Sequence, residues 1–272
     1  MQTIKFQNRT IAEVYVSSGN FDLINDKDKF SESLINKEIG NQIHKIGFEN
    51  REELKDFIKN FVIGYNDKDV KGLKLDENEI VKVIKEVLSL CLSVFEDETI
   101  KIFIFPTIDQ FSIEKMNGTN GFCIFKNTIF VGLYLSNKWQ EKLKNTVGHE
   151  LAHSLSPYYD MEKIKLGEGL IFEGVAEHFK EKFVNKEKSL WLKAISKDEA
   201  MKIFYKLKDR LDDDSFETYN EIFYGKGGYP LWAGYTIGYY LIEDYLKKQK
   251  DIDWKKMLRE NPNKILKEIE NY

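Results

Sequence analysis

Residues Trp139–Leu155 read WQEKLKNTVGHELAHSL, and after a short loop Leu166–Phe179 read LGEGLIFEGVAEHF. In the first stretch Leu143, Val147, Leu151 and Leu155 recur every four residues, the mark of a helix with one apolar face. His149 and His153 then stand one turn apart, with Cβ atoms ~5–6 Å from each other. Both imidazoles can reach one ion at the ~2.0–2.1 Å typical of zinc. Glu150 lies about 100° round the axis from His149. It is off the ligating face but within reach of water at the metal, where a general base belongs.

A structural zinc site closes with four protein ligands, whereas a catalytic one uses three, so the pattern asks for one more donor. The second stretch offers Glu168, Glu173 and Glu177, with Glu173 and Glu177 one helical turn apart. Ser156-Pro157 ends the first helix, and the loop to about Lys165 lets the second return beside it. Gly174 permits close approach of two helices. Residues alone leave the choice among the three glutamates open.

Before these stretches, Ile80, Val83, Ile84, Val87, Leu88, Cys91 and Leu92 give strong helical periodicity over Asp76–Phe95, with Asp76 as cap. A further helical pattern covers Asn50–Tyr65, and Thr10–Ser17 reads as extended. Short β-branched and aromatic runs follow at Thr99–Phe105, Gly121–Phe125 and Thr128–Leu135, with Lys126-Asn127 as a two-residue turn. Helices are expected at Lys138–Leu155, Leu166–Val184, Lys197–Leu211, Phe216–Phe223, Leu231–Lys248 and Trp254–Glu268. The expected fold class is α+β, a small sheet packed on the HExxH helix and further helices. Residues 1–97 would form a mostly helical N-terminal region, separate from or continuous with a core at 98–272.

Of the 272 residues, 42% are hydrophobic, including 19 Phe and 14 Tyr, enough for a sizeable core. Forty-one basic and 45 acidic residues give a net charge of −4. The lysines are scattered, which argues against a nucleic-acid partner. No stretch reaches the apolar length of a membrane span and the N-terminus lacks a signal-peptide pattern, so a cytoplasmic location is expected. Cys91 and Cys123 lie in apolar runs and form no CxxC pair, as unpaired core thiols do. His44 and His178 read as structural.

HELAH followed by EGVAEHF resembles the gluzincin class of zinc peptidases. With the later GYTIGYYLIEDYL, the set is similar to a bacterial family of predicted zinc-dependent proteases of otherwise uncharacterised function. The resemblance covers roughly residues 120–250. It implies His149, His153 and Glu173 as Zn2+ ligands and Glu150 as base. Glu177 would be the carboxylate that orients His149 through its other ring nitrogen. In several zinc peptidases a tyrosine hydroxyl stabilises the oxyanion; Tyr235 is the first choice and Tyr239 the alternative. By the same resemblance the strand Thr128–Leu135 would pair with an extended peptide substrate. Two departures matter. The residues after His153 supply neither the glycine nor the histidine of a metzincin, and Phe172 stands where thermolysin has a polar residue, so His153 must be steadied by something else. The expected activity is hydrolysis of a peptide or protein substrate. The rival readings are a non-hydrolytic zinc protein that binds a peptide or regulatory partner, and a small-amide or ester hydrolase.

Overall fold

The computed structural model describes residues 1–64, 74–161 and 163–270; Tyr65, the last residue of the helix expected from Asn50, lies outside them. The chain divides into two compact units, residues 1–92 with 96–150, and residues 93–95 with 151–272.

The first unit is built on five strands, β1 (Gln2–Phe6), β2 (Arg9–Val16), β3 (Ile100–Pro106), β4 (Thr119–Phe125) and β5 (Thr128–Leu133), in the order β1-β2-β3-β5-β4. β2, β3 and β5 run parallel, while β1 and β4 are antiparallel to their neighbours at the two edges. The sheet is therefore mixed. A cross-strand row joins Tyr15, Phe103, Phe130 and Phe122, with Tyr15 stacked on Phe103 at 4.7 Å and Phe103 on Phe130 at 5.0 Å. Rows of this kind are the unit of sheet stabilisation. This face packs on residues from the short helices α1 (Lys27–Leu34), α2 (Lys37–Gly40), α3 (Ile43–Ile46) and α4 (Arg51–Phe57), the last continuing as a π-helix over Ile58–Ile63. So the N-terminal segment contributes strands as well as helices.

Alternate residues of a strand face opposite sides, which leaves Ile102, Ile104, Ile129 and Val131 for the other face, where all are fully buried. On this side α5 (Glu77–Leu90), capped by Asp76 as expected, lies against β2. After α6 (Gln110–Lys115) and the β4–β5 hairpin comes α7 (Trp139–Leu155). Thr146 on α7 shares a 2.8 Å hydrogen bond with Thr119 on β4. Lys144 pairs with Glu86 at 3.0 Å, joining α7 to α5.

In the second unit α8 (Leu166–Phe183) and α11 (Ala233–Lys247) form the main helix pair, joined by α9 (Lys197–Lys206), α10 (Phe216–Tyr224), α12 (Trp254–Met257) and α13 (Pro262–Glu270). Gly174 and Gly238 set the α8–α11 distance. A Cβ on Gly174 would stand 2.2 Å from Gly238 O, and one on Gly238 would stand 2.1 Å from Leu170 O. Only bare Cα atoms allow these backbones to meet. The helix expected over Trp254–Glu268 is broken in two, with Pro262 at the first position of α13, where a missing N–H costs nothing. No described helix is long and apolar enough to cross a membrane.

Candidate metal centre

Helix α7 carries His149, Glu150 and His153, and α8 carries Glu173 and Glu177; all five are buried. The ligand atoms of His149, His153 and Glu173 lie within 4.8 Å of one another. His153 Nε2 and Glu173 Oε2 are 3.7 Å apart. Two ligands of a tetrahedral zinc, each ~2.0–2.2 Å from the ion, stand roughly 3.4 Å apart, so this pair is spaced as the ion requires. Two imidazoles and a carboxylate are the nitrogen and oxygen donors that zinc accepts. Burying carboxylates is costly unless a cation offsets them, and a dication at this point would do so. The donor set fits zinc.

The His153 ring lies flat on Tyr159, centroids 4.3 Å apart, and Tyr159 in turn meets the edge of Phe172 at 5.1 Å. With Phe172 in place of a polar residue, an aromatic stack through Tyr159 supports the His153 ring. Sequence reasoning missed Tyr159, whose only signal was its place in the loop just after the histidine helix.

Glu177 is fully buried and held by several hydrogen bonds. Its Oε2 accepts from Lys180 Nζ at 3.0 Å and from the Ser189 hydroxyl at 2.9 Å, and its Oε1 accepts from Trp191 Nε1 at 2.9 Å. Lys180, itself buried, also donates to Ser189 Oγ and to the Glu187 carbonyl. These bonds pin the 187–191 turn against α8, and Thr236 on α11 donates to the Trp191 carbonyl at 2.7 Å. Buried ions persist when paired and hydrogen-bonded in this way.

The two tyrosines expected to compete for one role are separated. Tyr235 stands among Phe223, at 5.0 Å and edge-on, and Trp191, at 6.1 Å. Burial first, then the nearby Tyr224, Tyr219 and Glu173, push its phenol well above the usual value, so it keeps its proton. Tyr239 sends its hydroxyl to Glu181 Oε2 at 3.1 Å and stacks on His178 at 4.3 Å. Glu181 is eight residues beyond Glu173, about 12 Å along the helix. His178 Nε2 meets the Tyr239 carbonyl at 3.0 Å, and burial holds the imidazole below its ordinary pKa, in keeping with a neutral structural histidine.

On the sheet side, Gly121 of β4 lies against Glu150: a Cβ built there would stand 2.5 Å from Glu150 Oε1. Cys123 is two residues further along β4; burial, and after it the Glu150 carboxylate, push its thiol well up. Cys91 is pushed up to about 12 by burial. Both cysteines are free and buried, hence unreactive. One expectation is corrected. The strand Thr128–Leu133 pairs with β3 on one side and β4 on the other, so it has no edge to offer a substrate; the outer strand is β4. A hairpin places the later strand inside when, as here, β5 joins the parallel set.

Buried nitrogen and oxygen donors gathered on an HExxH helix and its successor define the class as a candidate zinc hydrolase centre on an α+β fold. The family model described as "Predicted Zn-dependent protease (DUF2268)" matches residues 80–267, and the chain belongs to that family. This is the family that the three motifs resemble. No curated protein and no solved structure matches the chain.

Proposed function

We propose that the protein is a gluzincin-type zinc peptidase in which His149, His153 and Glu173 hold the metal and Glu150 is the general base. The observation that carries this reading is the buried His149–His153–Glu173 donor set with Glu150 beside it on the same helix. When bound, zinc would supply an activated water and polarise the scissile carbonyl. Glu150 takes a proton from the attacking water and returns it to the leaving amine. Tyr159 steadies the His153 ring by stacking. Tyr235, kept protonated, donates its hydroxyl to the developing oxyanion. An extended peptide lies along β4, the outer strand, and so passes Gly121 and the Glu150 carboxylate next to it.

The test is a peptide-library digestion with zinc-loaded protein, with and without a chelator. Cleavage that stops on chelation and returns with zinc is expected. Chelation should also lower Tm without unfolding the protein, because the helices have apolar cores of their own. Zinc-loaded protein that leaves every peptide intact would rule the reading out.

The tyrosine assignment has its own readout. Tyr235→Phe is expected to cut kcat by ~10²–10³, the usual loss for one oxyanion donor, with zinc content unchanged. Tyr239→Phe should turn over normally, since it loses only the bond to Glu181. Reversed kinetics would transfer the role to Tyr239.

A further inference from the structure

The Glu150 side chain lies against the one residue of β4 that offers it no side chain. At Gly121 a Cβ would fall 2.5 Å from Glu150 Oε1, 2.6 Å from Cγ and 2.8 Å from Cδ. Real Cβ atoms do not approach other heavy atoms so closely, because overlap repulsion rises steeply inside the ~3.5 Å optimum of van der Waals contact. All three of the nearest obstacles belong to one flexible side chain, and none to backbone. Gly121 has no left-handed φ, so its backbone conformation does not call for glycine. What calls for glycine is the carboxylate.

Local structure shows how this contact is held. β4 pairs with β5 in regular register from Thr119 to Phe122, so residues 119 and 121 share the face turned to α7, and the register shifts only beyond Phe122. Thr119 fixes the near end of that face through its hydroxyl bond to Thr146, one turn before Glu150 on the helix. Cys123 closes the far end, fully packed and close enough to feel the Glu150 charge. Phe122, facing away, meets Phe57 and Phe61 on the opposite side of the sheet, which keeps the strand from rolling. The strand is thereby a fixed wall, and Glu150 rests on its one gap.

We infer that Gly121 is a positioning residue: its bare Cα sets where the Glu150 carboxylate stands, and any side chain at 121 moves the base off its working position. The inference rests on Glu150 acting as general base. A base displaced by about 1 Å loses much of its effect, because proton transfer requires hydrogen-bond distance to the attacking water.

The experiment is a double-mutant cycle of Gly121→Ala and Glu150→Ala, read by kinetics on zinc-loaded protein and by thermal melting of metal-free protein. Gly121→Ala alone is expected to lower kcat roughly 10- to 100-fold, with KM and zinc content near those of the unmodified chain. It should also lower Tm by roughly 2–4 °C, since Glu150 is buried and must be pushed aside. In the Glu150→Ala background the same methyl should enter vacated space, with no further change in residual rate or in Tm. Unchanged kcat in Gly121→Ala would overturn the inference. So would a Tm loss that persists in full in the Glu150→Ala background, because the methyl would then be meeting something else. An unmodified protein without peptidase activity would defeat the functional reading and the role with it, while the melting cycle would still report whether the contact exists.

Discussion

Glu150→Gln is expected to leave zinc at about one per chain and to cut kcat by ~10²–10⁴, the range that a positioned base supplies. The amide has the shape of the carboxylate and stays in its place beside Gly121. It cannot accept the proton. Because Glu150 lies about 100° round α7 from His149, it is not on the ligating face, so the metal has no reason to leave. KM should change little, since an interaction made only in the transition state lowers kcat and kcat/KM together. The check is steady-state kinetics and elemental analysis on one preparation. Loss of zinc along with activity would make Glu150 a ligand, and retention of activity would place the base elsewhere.

The second large effect is on stability. Gly174→Ala and Gly238→Ala are each expected to lower Tm by roughly 5–15 °C, about 2–4 kcal/mol at the usual conversion for chains of this size. Alanine within a helix normally gains up to ~1 kcal/mol over glycine. Here the new methyl groups would stand 2.2 Å and 2.1 Å from carbonyl oxygens of the partner helix. Backbone cannot swing aside as a side chain can, so α8 and α11 must part. Glu173 adjoins Gly174, and the same separation should weaken zinc binding. Gly169→Ala is the control on α8: its Cβ would meet nothing closer than 3.7 Å. That variant should melt at or above the temperature of the unmodified protein. Equal losses at all three glycines would mean that helix contact is not what selects glycine at positions 174 and 238.

Much of this architecture was legible because it is written locally. The apolar period through HELAH and through residues 80–92 marks α7 and α5 almost to their ends, and Asp76 caps where its side chain suggested. β1 was not legible: of QTIKF only Ile4 is buried. Its hairpin turns on Gln7 and Asn8, both at positive φ, where Asn-Gly would have been the readable pair. The helices before residue 64 were blurred for a related reason: α2 and α3 are single turns of four residues, too short to show a period. Within the site, the HExxH residues and the later glutamates stand out by spacing alone. The Tyr159 stack on His153 depends on how a loop folds back, and the Lys180–Glu177–Trp191 network depends on a turn fourteen residues further on. The order of strands was hidden too. Nothing in the period of a strand says whether it is central, and so β5 was read as an edge.

Everything proposed for the site depends on its metal, and the deciding measurement is zinc content. Elemental analysis would follow metal loading and exhaustive dialysis of the unmodified protein, His149→Ala, His153→Ala, Glu173→Ala and Glu177→Ala. About one zinc per chain is expected in the unmodified protein, with marked loss in each of the first three variants, because each removes one of three donors from a buried site. Glu177→Ala should hold zinc, if less tightly, since its carboxylate is engaged by Lys180, Ser189 and Trp191. Full occupancy in Glu173→Ala with loss in Glu177→Ala, or zinc that ignores the histidines, would contradict the assignment.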